Sequence, residues 1–434
     1  MAGHQVTKLY LFYSGKTTNM INRIIQPHSI IITGLIFLFI WFLNLIRLNM
    51  HYIDPFNNGL KNYEITDIVY AYMAGEPLES QVIDLPIVLV HTGEPDRGQI
   101  ARLINRLGEA GAVAIGVDIF FDRLKVPGSD SLLQQSLAQT PNVVLACELE
   151  DRSGKYEGFT NWVGVDSSFS EHAKLGYVNF PANRTKVIRL FSPWEPVGQD
   201  TLPAFATALL EAYQPGATEK LRRRNKTVEP IHFTRHADDF VHHPQQRLLD
   251  SLSLEEVRSI VQDKIVLVGY VPVDGEGDAL RDRHYTPLNQ DYGNKAIPDM
   301  YGLAIHANVI TMVLNGQYVN TLPNWLNWVI LVVFCYLNVL LIHWVYDDFN
   351  EVFHGITRGL QIVEFILLFF LISFLFYKFR LKLDFALGIL GLLLAYDIIM
   401  IYESLIRKRI PAIDRIPEFI PLTKTKPAVL DEEE

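Results

Sequence analysis

The chain has 434 residues, 49% of them hydrophobic and 12% aromatic, and a formal net charge of −10 at pH 7. That charge, with no basic patch interleaved with aromatics, excludes a nucleic-acid binder. The length suits two or three domains, and the two cysteines, Cys147 and Cys335, fall in segments of very different character, so no disulfide framework holds the fold.

Residues 1–27 are polar, carry Lys8, Lys16 and Arg23, and read as a cytoplasmic tail. Within them Ser14, Gly15, Lys16 and Thr17 resemble the end of a phosphate-binding loop. Tyr10 stands where the loop's first glycine belongs and no apolar strand precedes it, which leaves a solvated tail. Residues 28–48 are almost wholly apolar. At 1.5 Å per residue, such a run reaches about 30 Å, the thickness of the hydrocarbon layer. It is longer than the apolar core of a cleaved signal peptide and lacks a small-residue cleavage site, so it predicts a transmembrane helix.

Residues 49–322 read as one large α/β domain, expected outside the cytoplasm. Residues 87–91 predict a strand. Residues 97–108 predict a helix with Ile100, Leu103, Ile104 and Leu107 on one face, stopped near Gly111. A strand over 113–120, a helix over 130–138 and a strand over 142–146 follow. Apolar strands alternating with amphipathic helices imply right-handed βαβ units and a mainly parallel sheet covered on both faces. From 148 to 263 the pattern is less regular. Residues 177–180 and 187–191 look like an antiparallel pair, 202–213 and 254–261 like helices, and Arg222, Arg223 and Arg224 like a solvated basic face. A buried strand over 264–270 then leads into a polar loop carrying Asp278, Asp282, His284 and Thr286, and into a helix over 300–314.

Three further apolar runs, 324–346, 359–377 and 383–402, complete an all-α membrane part of four expected transmembrane helices, followed by a tail over 403–434. Basic residues in the amino tail, and Arg407, Lys408 and Arg409 after the last run, place both tails in the cytoplasm by the positive-inside rule. Lys378, Arg380 and Lys382, in the last hairpin, count against that orientation; the agreement of the two tails outweighs them.

The segments DRGQIARLINRLGEAGAVAIGVDIFF, PNVVLA, LGYVNF, KIVLVG, DRHYTPL and PDMYGLAIHAN, spread between Asp67 and Leu314, resemble the second type of CHASE domain. That family is an extracytoplasmic sensory module found with cyclases and histidine kinases. Its layout of one span, the domain and three spans is similar as well. The resemblance implies a sensor in a bacterial inner membrane. The tryptophan-rich turn that the family often places before its first helix is reduced here to Glu94, Pro95, Asp96 and Arg97. The family usually continues into a cytoplasmic output domain, whereas only about 25–30 residues follow Arg407, too few for a second folded domain. The resemblance therefore implies an output supplied by a separate cytoplasmic or membrane protein.

In parallel α/β sheets ligands bind beyond the carboxyl ends of the strands. There the sequence offers His91, then Asp118 and Asp122, then Asp282, His284 and Thr286. If the three strands are neighbours, these residues converge on a pocket for a small polar ligand. The alternative is that the acids cap loops and helix starts and His284 bonds a backbone carbonyl. Asp118, Asp282 and His284 suit a metal in type, but no close-spaced ligand motif supports one. His306, on the helix leading to the membrane, is expected as an interior histidine, and Asn308, with Ala304 and Ala307, as a small residue for close packing. No nucleophile, zinc or dinucleotide motif is present, and no cofactor is expected. In the membrane part, His343, Glu364 and Asp397 are expected at similar depth and form a candidate polar cluster, because carboxylates in a bilayer turn toward other helices. Three functional classes follow. The first is a membrane sensor that binds a small ligand or envelope protein. The second is a structural or assembly subunit of a cell-envelope complex. The third is an extracytoplasmic hydrolase using the Asp/His loop.

Overall fold

The computed structural model describes residues 25–45, 64–75, 85–93, 95–150, 159–181, 187–270, 283–289, 297–348 and 353–416. Asp278 and Asp282 lie outside the described residues, as do the basic residues of the amino tail. The chain divides into two compact units, residues 55–320 and, together, residues 1–54 and 321–434.

After an apolar helix, α1 (Pro27–Leu45), and a second helix, α2 (Ile65–Gly75), the α/β unit begins with β1 (Ile87–His91), α3 (Arg97–Glu109), β2 (Ala114–Asp118), α4 (Pro127–Gln139) and β3 (Val143–Glu150). Next come β4 (Asn161–Val163), β5 (Lys174–Tyr177), the hairpin β6 (Trp194–Val197) and β7 (Asp200–Pro203), α5 (Phe205–Tyr213) and α6 (Glu219–Arg224). The unit closes with β8 (Val241–Pro244), α7 (Leu254–Val261), β9 (Ile265–Gly269), β10 (Arg283–His284), β11 (Met300–Tyr301) and α8 (Gly302–Leu314).

Local chemistry sets these boundaries. Asp96 caps α3: its Oδ1 accepts the Gln99 N–H at 2.8 Å and its own N–H donates to Gln99 Oε1 at 3.2 Å, a capping box. Gly111, at φ +89°, takes the left-handed turn that stops α3. Pro127 opens α4 at the first helical position, where its missing N–H costs nothing. The helix expected over 202–213 begins only at Phe205. Leu202 precedes Pro203, which drives it extended, and residues 200–203 form β7 instead. Met300 and Tyr301 likewise pair with β10, so α8 starts at Gly302.

The sheet has seven strands, with β8, β1, β9, β2 and β3 side by side in parallel. β3 pairs in parallel with β5 and antiparallel with β4. The sheet is therefore mixed, which corrects the expectation of a mainly parallel one: β3 runs on to Glu150, past the expected 146, and the chain folds back along that extension as β4. The antiparallel pair expected from 177–180 and 187–191 is also corrected. Residues 174–177 join the sheet as β5, and Leu190–Phe191 pairs with Glu229–Pro230.

Both faces of the central strands are covered, which explains their unbroken apolar sequences. Val88, Val90, Ile115, Val117, Val266 and Val268 pack with Leu103 and Ile104 of α3, Leu133 of α4 and Val257 of α7. On the opposite face, α5 lies so close that a Cβ on Gly116 would sit 2.7 Å from Phe205 Cζ and Leu209 Cδ1. A Cβ on Gly176 would sit 2.6 Å from the Phe205 Cα. Of the expected basic face, Arg222 and Arg223 are exposed, but Arg224 is half-buried. Its Nε lies 2.6 Å from Oε1 of the buried Glu229 and its Nη2 donates to the Val319 carbonyl at 3.0 Å.

The other unit contains α1, α9 (Asn324–Asp348), α10 (Phe353–Phe379) and α11 (Ala386–Ile401), which passes into a π-helical turn over Tyr402–Ile406. Three helices are long and apolar enough to cross a membrane, Asn324–Tyr346, His354–Phe379 and Ala386–Arg409. α1 is apolar but shorter among the described residues, so three of the four expected spans have helices of sufficient length and apolar character. Ile32 and Ile36 of α1 pack with Val339 and Ile342 of α9 and with Ala395 and Ile399 of α11. Gly391 lets α11 approach α9, since a Cβ there would sit 2.6 Å from Cys335 Sγ.

Candidate functional site

The three strands expected to converge are neighbours. Their register sets His91 beside Gly269 and Gly269 beside Asp118, at the carboxyl ends of β1, β9 and β2. Residues in register share a face, and with strands about 4.8 Å apart the His91 and Asp118 backbones stand roughly 10 Å apart. Gly269 leaves the space between them without a side chain. A Cβ there would lie 3.2 Å from both Asp118 Cβ and Leu303 Cδ1, so the first turn of α8 comes down onto this gap. The Thr92 N–H donates to the Gly269 carbonyl at 3.1 Å and ties the two strand ends together. His91 is half-buried. Burial, reinforced by His242 on β8, lowers its pKa and favours the neutral ring. Asp122 is exposed, in the loop after β2.

His284 also stands near this helix start. The β10–β11 pair joins His284 to Met300, and a Cβ on Gly302 would lie 3.9 Å from His284 Nε2. Asp118 and His284 therefore both border the first turn of α8, which has no side-chain cap at Tyr301. Thr286 is buried and serves a turn: its N–H donates to Asp299 Oδ1 at 2.8 Å and its hydroxyl donates to Asp299 Oδ2. Burial raises the Asp299 carboxyl above its ordinary range even against those two hydrogen bonds.

His306 is an interior histidine. Its ring stacks on Phe180 at 4.9 Å between centroids and meets Phe205 edge-on at 5.3 Å, while His284 approaches the same Phe180 at 6.4 Å. Burial, with a smaller contribution from His284, pushes the His306 pKa down to about 3, so the ring is neutral. Asn308 does more than make room. Its Oδ1 accepts the Thr234 and Arg235 N–H groups at 3.1 and 3.2 Å, and its Nδ2 donates to the Arg235 carbonyl at 3.0 Å, which fastens that segment to α8. Among the described residues no group of His, Cys, Asp and Glu could hold a metal ion.

Sequence reasoning passed over the group that shapes the loop carrying Asp122. Arg97, 8% exposed, places Nη1 2.5 Å from Asp130 Oδ1 and donates from Nη2 to the Arg123 carbonyl at 2.5 Å. Its guanidinium lies 5.6 Å from the Phe121 ring centroid and 5.2 Å from that of Phe169. Asp130 Oδ2 accepts the Lys125 N–H at 2.7 Å. The signal was the arginine directly after the Asp96 cap, a position where a surface helix has no need of one. A second buried pair joins Arg189 Nε to Asp67 Oδ1 at 3.0 Å, with a further bond from Nη2 to Oδ2.

In the helical unit the three expected polar residues have separate partners. Asn338 Nδ2 donates to Glu364 Oε2 at 2.6 Å, Arg358 Nη2 donates to Asp397 Oδ1 at 3.2 Å, and His343 Nε2 lies 3.2 Å from Glu403 Oε1. The register of α10 against α11 is the reason. Gln361 Nε2 donates to the Leu392 carbonyl at 2.7 Å, which sets Asp397 level with Arg358, about 9 Å along the helix from Glu364. The polar group that does form was unforeseen: Ser29 Oγ lies 3.3 Å from His343 Nδ1, Arg407 Nη1 lies 3.1 Å from Glu403 Oε2, and His28 Nδ1 lies 2.6 Å from the Tyr402 hydroxyl.

No curated protein and no solved structure matches the chain. The profile of the CHASE2 domain matches residues 32–341, from within α1, through the whole α/β unit, into α9. That is well over half of the sequence, and the protein belongs to the CHASE2 domain family.

Proposed function

We propose that the protein is a membrane-anchored sensor. In this reading the α/β unit lies outside the cytoplasm between α1 and α9, both of which cross the bilayer, and the two tails lie inside. The domain binds a small polar ligand or an envelope protein, and a separate output protein carries the signal onward. The observation that carries this reading is the CHASE2 match across the α/β unit, followed in sequence by three helices long and apolar enough to span a membrane. The first turn of α8, bordered by Asp118 and His284 with His91 across Gly269, is the candidate ligand position. α1 is the candidate transmission element, because Ser29 and His28 connect it to α9 and to the end of α11.

One observation favours the second reading, a structural subunit of an envelope assembly. Thr286 is committed to Asp299, so it is not available to a ligand at the candidate position. Purification of the affinity-tagged chain from native membranes, without crosslinker, separates the two. Recovery of a cyclase, kinase or comparable output protein supports sensing. Recovery of a stoichiometric envelope assembly without one overturns it in favour of scaffolding.

A further inference from the structure

The α/β unit has a concave region at the β5 edge of the sheet, and none of its lining residues belongs to the His91–Asp118 strand ends. It is a cleft of about 510 Å³ whose lining includes Lys174, Leu175, Trp194, Pro203, Glu211 and Arg222. Leu175, Trp194 and Pro203 make its wall mainly apolar. Its charges are unevenly committed. Both Glu211 oxygens are occupied from within, one by the Thr218 hydroxyl and the other by the Gly216 N–H at 3.2 Å. Although burial works against the charged form, those bonds and nearby Arg222 keep the Glu211 pKa below its ordinary value. The exposed Lys174 side chain has no ion-pair or hydrogen-bond partner among the described residues. The Arg222 guanidinium lies over the Trp194 ring, its Cζ 4.3 Å from the centroid, and its side-chain N–H groups have no hydrogen-bond acceptor among the described residues. The cleft thus combines an apolar wall, an aromatic face and two cations with unused donors, while its carboxylate is already satisfied.

We propose that this cleft binds a small organic anion. A carboxylate or phosphate head lies between Lys174 and Arg222, and an apolar or planar body lies against Trp194, Leu175 and Pro203. Apolar pockets take their specificity from a few such polar groups, and charge-assisted bonds to the head are the strong ones. The contact with Trp194 restricts the Arg222 side chain, so less freedom is lost when it binds the head. The site is independent of the sensor reading: binding here stands or fails whatever output the protein has.

The test is calorimetric titration of the full chain in detergent with benzoate, phenyl phosphate, benzamide and benzylamine. Benzoate or phenyl phosphate is expected to bind, and the better of the two identifies the head group. Benzamide and benzylamine are expected to bind at least about tenfold more weakly. K174Q/R222Q is expected to weaken anion binding by about tenfold or more, with an unchanged thermal midpoint because both side chains are exposed. R223Q, which alters an exposed arginine paired with Glu219, is expected to bind like the parent chain. Failure of both anions to bind overturns the proposal, as does binding of benzamide as tight as benzoate or retention of anion affinity in K174Q/R222Q.

Discussion

His343 and Glu403 meet at 3.2 Å, Nε2 to Oε1, and the other imidazole nitrogen lies 3.3 Å from the Ser29 hydroxyl. One ring thereby joins α1, α9 and the π-helical turn that ends α11. With the Nε2 proton directed at the carboxylate, Nδ1 accepts from Ser29. Among apolar helices this contact fixes rotation and register, which Leu and Ile surfaces alone leave free.

The His343 bridge gives the first prediction. His343→Leu is expected to cost about 1.5–3 kcal/mol, because it leaves Glu403 with only Arg407. Ser29→Ala is expected to cost less, about 0.5–1.5 kcal/mol. Combining them is expected to cost little more than His343→Leu alone, because the serine bond no longer exists. Detergent thermal unfolding of the single and double variants measures this; full additivity would mean that Ser29 and His343 do not interact.

The Arg97–Asp130 pair gives the second. Asp130→Ala is expected to destabilise the α/β unit by about 3–5 kcal/mol by leaving the buried guanidinium without its counter-charge. Arg97→Met with Asp130→Leu is expected to recover most of that loss. Burial alone would raise the Asp130 pKa, but the Arg97 bond and the Lys125 N–H outweigh it and hold it below the ordinary aspartate value. The pair's contribution is therefore complete above about pH 3.9 and is lost as pH falls through the lower folded value. A wild-type advantage over the double variant that stays constant from neutral pH through that acid range would contradict this.

Asp299 has the opposite sign. Its pKa is raised by burial, so folding favours the protonated carboxyl. Stability from this group is present below the ordinary aspartate value and is lost as pH rises through the folded value. Asp299→Asn is expected to gain relative to wild type across that rise, and parallel pH–stability curves for the two proteins would rule it out.

The glycines of the two strand motifs give a fourth. Gly176→Ala places its methyl against the Phe205 backbone, which cannot swing aside, whereas Gly116→Ala meets the ends of the Phe205 and Leu209 side chains. Both are expected to destabilise, by about 1–3 kcal/mol, with Gly176→Ala the worse. Denaturant midpoints rank them.

Much of the fold was legible because β1, β2, β3 and β9 are buried on both faces, and such strands are written as unbroken apolar runs between amphipathic helices. The mixed sheet was not legible, because β4 is a three-residue strand whose partner is chosen by tertiary contact, with no signal in NWV itself. Residues 202–204 were misplaced because apolar spacing outweighed Pro203. At the candidate site, His91 and Asp118 were expected to converge only if their strands were neighbours, and the order β1–β9–β2 makes them so. The binding of Thr286 by Asp299 could not be foreseen, because it joins residues across a long loop. In the helical unit, counting residues across the hairpin set Glu364 level with Asp397; the Gln361–Leu392 bond shows the helices offset from that count.

In the proposed sensor the α/β unit lies outside the cytoplasm while the chain's tails lie within. Arg223 is well exposed on that unit and the native Cys147 and Cys335 are buried, so Arg223→Cys adds one accessible thiol. Spheroplasts carrying this variant are treated with a membrane-impermeant maleimide, beside a Lys408→Cys variant as the tail control. Labelling of Arg223→Cys in intact spheroplasts, with Lys408→Cys labelled only after permeabilisation, is the expected result. Labelling of Arg223→Cys only after permeabilisation would contradict the orientation and the sensor reading with it.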